Sequence, residues 1–288
     1  MNYNKYHTDD CESALLNGSY SEEIHFSGRS QNYCVLFVDM VDSTKITAEI
    51  SDAEKVRKYF SMYLNTMASV LRRNNARIIK NVGDSLISYF PNTSDTTNEN
   101  AFEDVLECGI DMIVASPVIN EKLYKDEGLP SLNYRISADY GQVEMAKSRT
   151  SQSFDLFGST INLCSKINSH AQPGGMVIGG DLYRLVKSFN KLHTKYHFKQ
   201  VGEYTIGFAG KITIGNFGGK YPIYKVNFLD TRNRNHDGNN NIFSTNTQRP
   251  DQFQPRLDAM KKMVMPSSYS KEEKPRWSQQ KYTHNLML

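Results

Sequence analysis

From Tyr33 to Val226 the apolar residues of this chain recur at regular intervals. Cys34–Val38 is an unbroken apolar run, as expected of a central strand. Ser51-Asp52-Ala53-Glu54 has a capping-box pattern. Val56, Tyr59, Phe60, Tyr63, Met67, Val70 and Leu71 then follow at three- and four-residue spacing, which predicts an amphipathic helix. Arg77–Val82 and Ser85–Phe90 read as two strands joined through Gly83-Asp84 in a hairpin. Phe102, Val105, Leu106, Ile110, Ile113 and Val114 predict a second helix, closed before Pro117. Tyr134–Asp139 and Gln142–Ala146 flank Tyr140-Gly141 as another hairpin. A helix over Ser159–His170, a strand at Met176–Ile178, a helix over Asp181–Phe189 and strands at Tyr196–Tyr204 and Tyr221–Val226 complete the pattern.

Hairpins interleaved with helices predict an α+β fold, a central, mostly antiparallel sheet flanked by helices. A doubly wound parallel sheet fits less well, because these spacings are too short for crossovers. Residues 1–30 read as a flexible extension and residues 31–229 as the folded domain. Residues 230–288, opening with a stretch rich in Asn and Arg, read as a low-complexity, disordered tail. Within it, LDAMKKMVM (257–265) has the pattern of a short amphipathic helix, expected to be solvated rather than docked.

Composition narrows the function classes. The net charge of +3 arises in the tail, since residues 230–288 hold ten Lys/Arg against six Asp/Glu. The remaining residues are close to neutral, which gives no support for a nucleic-acid partner. No stretch reaches the roughly 18 apolar residues of a membrane span. The N-terminus lacks the apolar core of a secretion signal, so the expected compartment is the cytoplasm. Cys34, Cys108 and Cys164 sit in apolar segments and read as small buried hydrophobes of a reducing compartment; Cys11 stands apart from them.

Two aspartates stand out. Asp39 ends the run YCVLFVDMVDST, and Asp84 interrupts KNVGDSLISYF. An acid at the end of a buried strand is costly unless something positive accompanies it. Two of them beside tight turns suggest paired metal ligands for magnesium or manganese, with Met40 adding its backbone carbonyl. Each aspartate alone equally fits a helix cap or a turn. Lys80 shares the strand before Asp84 and fits a ligand contact, a surface lysine or a salt bridge to Asp84. In SFDLFGSTINLCSKINSHA, Asp155 precedes a turn at Gly158, and Asn162 and Lys166 share one helix face at i,i+4. Such an amide and ammonium suit a ligand with a hydroxyl and a phosphate, as well as a solvated face. His193 and His197 have HxxxH spacing without the glutamate of a zincin and are set aside.

Together, FVDMVDST, KNVGDSL, RISADYGQVEMA and FDLFGSTINLCSKINS resemble, in order and spacing, the catalytic domain of class III adenylyl/guanylyl cyclases. The resemblance implies a nucleotidyl cyclase-like fold with a ferredoxin-like core and a head-to-tail dimer, most simply a homodimer, although a second cyclase-like chain also fits. It implies that Asp39 and Asp84 hold two magnesium or manganese ions per site. Lys80 and Asp155 match the pair that reads the purine, in its adenine-selective version, so ATP is the implied substrate and cyclic AMP the product. Asn162 matches the asparagine that orients the ribose. One subunit would supply Asp39 and Asp84, its partner Lys80, Asp155, Asn162 and Lys166. There are two departures. Lys166 stands where the family usually has arginine, losing a bidentate donor. The late phosphate-binding lysine is replaced in the nearest register by Gly215, with Lys211 and Lys220 nearby. These departures make a weak or inactive nucleotide-binding regulatory module the alternative expectation, with a guanylyl cyclase third.

Overall fold

In the computed structural model, which describes residues 24–148, 153–205, 219–228 and 253–265, β1 (Ile24–Met40) runs through the middle of the sheet. It lies between β3 (Ser85–Phe90) and β4 (Tyr134–Ser148), antiparallel to both. With β2 (Arg77–Val82), β6 (Gly175–Gly179), β7 (Tyr196–Thr205) and β8 (Lys220–Phe228) the order is β2-β3-β1-β4-β6-β8-β7, and β5 (Phe154–Phe157) pairs with β4 off this path. Among the described strands the β4–β6 ladder is the parallel one. The expected α+β fold with a mostly antiparallel sheet is thus observed.

Helices α1 (Ser43–Glu49), α2 (Ala53–Arg73) and α3 (Glu99–Glu127) precede β4, and α4 (Ser159–Ile167), α5 (Gly180–Ser188), α6 (Asn190–Lys195) and α7 (Gln254–Val264) follow it. The succession β1, α2, β2, β3, α3, β4 with sheet order β2-β3-β1-β4 is a ferredoxin-like βαββαβ core. α2 starts at Asp52, whose carboxylate accepts from the Glu54 N–H at 2.8 Å, so the cap is Asp52 rather than Ser51. Its Tyr59, Tyr63, Met67, Val70 and Leu71 are fully buried in the main core with α3 and one sheet face. Burial of each such side chain contributes about 1.5–3 kcal/mol.

The opposite face is organised differently. β5 touches β2 as well as pairing with β4, so this half of the sheet curls around a second core of Tyr33, Val35, Ile87, Tyr89, Val143, Met145 and Leu156. α4 packs over β1 and β4 on this side, with Cys164 buried in this core and Ile161 partly buried against it, while Ile167 joins a third cluster with Val177, Tyr221 and Ile223.

Four further expectations need correction. Pro117 lies inside α3 instead of ending it. A proline in a helix interior costs about 3 kcal/mol, but Val118, Ile119 and Leu123 beyond it are buried and offset that cost. Tyr134–Ala146 is no hairpin: β4 is one strand, in register with β1 through Tyr140↔Cys34 and Gly141↔Tyr33. Gly141 serves close packing rather than a turn, since a Cβ there would stand 2.6 Å from the Thr160 hydroxyl. Residues 24–30, read as extension, belong to β1, while residues 1–23 lie outside the described residues.

The fourth correction concerns the tail. α7, expected to be solvated, docks on α2 and α3 through buried Leu257, Met260 and Val264. Arg256 Nη1 donates to Asp111 at 2.7 Å and Nη2 donates to Glu107. Lys122 donates to the Val264 carbonyl at 2.9 Å. The local composition could not announce this, because the complementary apolar seam and acids belong to helices distant in sequence. The rest of the tail lies outside the described residues.

Candidate active site

Asp39 is the penultimate residue of β1, opposite Ser85 on β3 and opposite Arg135 on β4. The β2–β3 hairpin turns in two residues, Gly83 and Asp84, because Val82 pairs with Ser85. Gly83 has φ of 62°, as the first position of a type II′ turn requires. This turn sets Asp84 directly before the residue that faces Asp39, so register brings the two acids together.

Burial pushes the Asp39 carboxyl above its usual range; a hydrogen bond from the Ser85 hydroxyl opposes the rise, repulsion by Asp84 adds to it and attraction by Arg135 opposes it. Two carboxylates brought together in this way present hard oxygens of the kind that suit magnesium or manganese. The Met40 side chain is buried, so only its backbone can face this site. Among the described residues no group of three or more His, Cys, Asp or Glu gathers.

Lys80 and Asp155 form an ion pair between β2 and β5, and the other Asp155 oxygen accepts from the Leu156 N–H at 2.8 Å. Lys80 is thus committed to Asp155 and not to Asp84. Asn162 and Lys166 lie exposed on α4. The Lys166 ammonium stands 5.5 Å from the centroid of the Tyr204 ring, a cation–π distance. Three groupings therefore form within one chain: Asp39 with Asp84, Lys80 with Asp155, and the exposed Asn162–Lys166 face. Among the described residues no hydrogen bond or ion pair links one grouping to another. Lys220 opens β8 and pairs with Glu203 at 3.5 Å, whereas Lys211 and Gly215 lie outside the described residues.

Arg135 was missed by sequence reasoning. It stands across from Asp39, with its Nε buried without a hydrogen-bond partner, and sets a positive charge beside that carboxyl. The signal that would have found it is the β1–β4 register, which the mistaken hairpin concealed.

The Adenylate and Guanylate cyclase catalytic domain family model matches residues 26–224, ending before α7. Among solved structures, the adenylyl cyclase CyaB from P. aeruginosa is similar at 22% identity and a TM-score of 0.57, over 71% of this chain and 97% of that one. The guanylyl cyclase Cya2 is similar at 20% identity and a TM-score of 0.57, over 72% of this chain and 97% of that one. A dimeric guanylyl cyclase domain of the RhoGC fusion protein from the fungus Blastocladiella emersonii gives 19% identity and 0.53, over 69% and 98%. At these identities the likeness is one of fold. Comparison with curated proteins gives no match. Among the described residues no helix is long and apolar enough to cross a membrane.

Proposed function

The chain belongs to the adenylate and guanylate cyclase catalytic domain family, and we propose that it is an adenylyl cyclase, converting ATP to 3′,5′-cyclic AMP and pyrophosphate at a site shared by two subunits. The observation that carries the adenine assignment is the Lys80–Asp155 pair. Ionised Asp155 accepts a hydrogen bond from the exocyclic amine of adenine, and Lys80 donates to a ring nitrogen. Guanine places a carbonyl where adenine has that amine, so Asp155 would meet it acceptor to acceptor.

Each remaining group has a role consistent with its chemistry. Two magnesium or manganese ions, held by Asp39, Asp84 and the Met40 carbonyl, would lower the pKa of the ribose 3′-hydroxyl and neutralise the departing pyrophosphate. Asn162 orients the ribose through its amide. Lys166 sets a positive charge beside the α-phosphate, and Arg135, opposite Asp39, adds a second positive charge for the phosphates. The exposure of Asn162 and Lys166 supports a site completed by a second copy in head-to-tail arrangement.

The test is product formation by purified protein from Mn-ATP and from Mn-GTP. Metal-dependent cyclic AMP that is lost in Asp39→Ala supports the reading, and preferential cyclic GMP overturns the base assignment.

Lys166 favours a second reading, a nucleotide-binding regulatory module with little turnover. Loss of one transition-state donor can cost about 10²–10³ in rate. Lys166→Arg raises turnover if the site is catalytic. Nucleotide binding without turnover, unchanged in that variant, supports the module.

A further inference from the structure

Ser85 is the first residue of β3, directly after the Gly83-Asp84 turn. It pairs with Asp39 across the β1–β3 ladder and with Val82 across the β2–β3 ladder. Residues directly opposite one another in a sheet share a face, and alternation along β3 puts Ile87 and Tyr89 on that face as well. Ile87 and Tyr89 are buried in the second core, so Ser85 is the polar end of an otherwise apolar row. Ser85 is itself buried, and its hydroxyl donates to Asp39 Oδ1. Among the described residues this is the hydrogen bond that the Asp39 carboxylate accepts.

The residue type is informative. A serine beside a turn is ordinary when its hydroxyl faces water or the local backbone, but this hydroxyl is buried and bonded to a side chain of another strand. Burying a hydroxyl costs free energy unless it finds a partner. The Asp39 carboxylate supplies that partner, and the hydroxyl in turn restrains rotation of the carboxylate. Serine does this as a neutral donor, engaging one oxygen without adding positive charge where a cation would bind. Ser85 also follows Asp84 in the chain, so the same contact ties the two acids to each other.

We propose that Ser85 is a positioning residue whose hydroxyl holds Asp39 Oδ1, so that the remaining Asp39 oxygen and the Asp84 carboxylate are set for a divalent cation. The inference rests on the metal reading of Asp39 and Asp84. Magnesium demands near-ideal octahedral geometry, so it binds less well to a carboxylate that is free to rotate. Loss of a donor that orients a metal ligand weakens metal binding by about 10–100-fold. Ser85 acts through Asp39, without touching the nucleotide.

The experiment measures Mn²⁺ binding by the full chain from the electron paramagnetic resonance signal of free Mn²⁺, at a fixed concentration of α,β-methylene-ATP and against a nucleotide-only control. Ser85→Thr and Ser85→Val fill nearly the same space and differ in the hydroxyl, and Ser85→Ala removes it without adding bulk. Thermal unfolding in EDTA verifies that each variant is folded. The proposal expects Ser85→Thr to bind Mn²⁺ as the unmodified chain does, and Ser85→Val and Ser85→Ala to bind it about 10–100-fold more weakly. Folded Ser85→Ala or Ser85→Val with unchanged Mn²⁺ affinity would overturn it, as would Ser85→Thr binding as weakly as Ser85→Val. An unmodified chain that takes up no Mn²⁺ beyond the nucleotide-only control would overturn the metal reading itself, a result distinct from the others.

Discussion

Lys80 and Asp155, 75 residues apart, are bonded to each other where β2 meets β5. The pair assigned to read the base is thus assembled before any base arrives. Its members hold each other in place, and adenine would have to exchange with that ion pair.

Asp155→Asn follows from this arrangement. Asparagine can turn its amide to donate to the guanine carbonyl, removing the clash that excludes GTP. Hydrogen bonds to charged groups contribute about 1.5–3 kcal/mol, so the preference for ATP over GTP should fall roughly 10- to 100-fold. Competition binding of the two nucleotides checks it, and an unchanged preference would remove Asp155 from base recognition.

Arg135→Ala should weaken nucleotide binding by about 10- to 100-fold, the worth of one charge-assisted hydrogen bond. It also removes a positive charge that holds down the Asp39 pKa. Metal binding should consequently fail at a higher pH in the variant than in the parent, because protons compete better for Asp39. Nucleotide binding measured at fixed pH gives the first quantity, and titration of Mn²⁺ binding against pH gives the second.

Asp139 governs a pH dependence of stability. It is completely buried, accepts from the Tyr221 hydroxyl at 2.8 Å, and takes a further hydrogen bond from the Tyr140 N–H at 2.9 Å. Burial foremost pushes its pKa up to about 7, against the hydrogen bonds from Tyr221 and Tyr140. Between about pH 4, the value of a free aspartate, and about 7, the folded chain holds a proton that the unfolded chain has released. This contribution to stability is full at the acid end and is lost as the pH rises through about 7. Asp139→Asn should flatten the fall of Tm between pH 5 and 8, as thermal unfolding across that range would show.

Docking of α7 predicts a contribution to stability from outside the family match. Met260 is fully buried, and Met260→Ala should cost about 2–5 kcal/mol. Arg256→Ala leaves Asp111 without its 2.7 Å partner, while Glu107 keeps Lys195 at 2.6 Å. Ending the chain after residue 229 should lower the unfolding midpoint by as much as Met260→Ala or more. Urea denaturation of the three forms is the check.

Local pattern carried much of this fold. Cys34–Val38, the helix bearing Tyr59 to Leu71 and the Gly83-Asp84 hairpin were legible, because their signals lie within one element. Gly141 and Pro117 misled for a common reason: each breaks a local pattern, but its cost is set by tertiary neighbours, Thr160 in one case and the buried residues after Pro117 in the other. Asp39 and Asp84 were legible as acids ending apolar runs. Arg135 was not, since its place beside Asp39 depends on cross-strand register.

The most direct test of the shared site is complementation. Asp39→Ala and Asn162→Ala damage opposite contributions, so each variant alone should be inactive. Mixed in equal amounts with subunit exchange, they form heterodimers holding one intact site, and cyclic AMP formation from Mn-ATP should return to roughly a quarter of the unmodified rate. If the mixture stays as inactive as its components while exchange is demonstrated, the site does not draw on two subunits and the account is wrong.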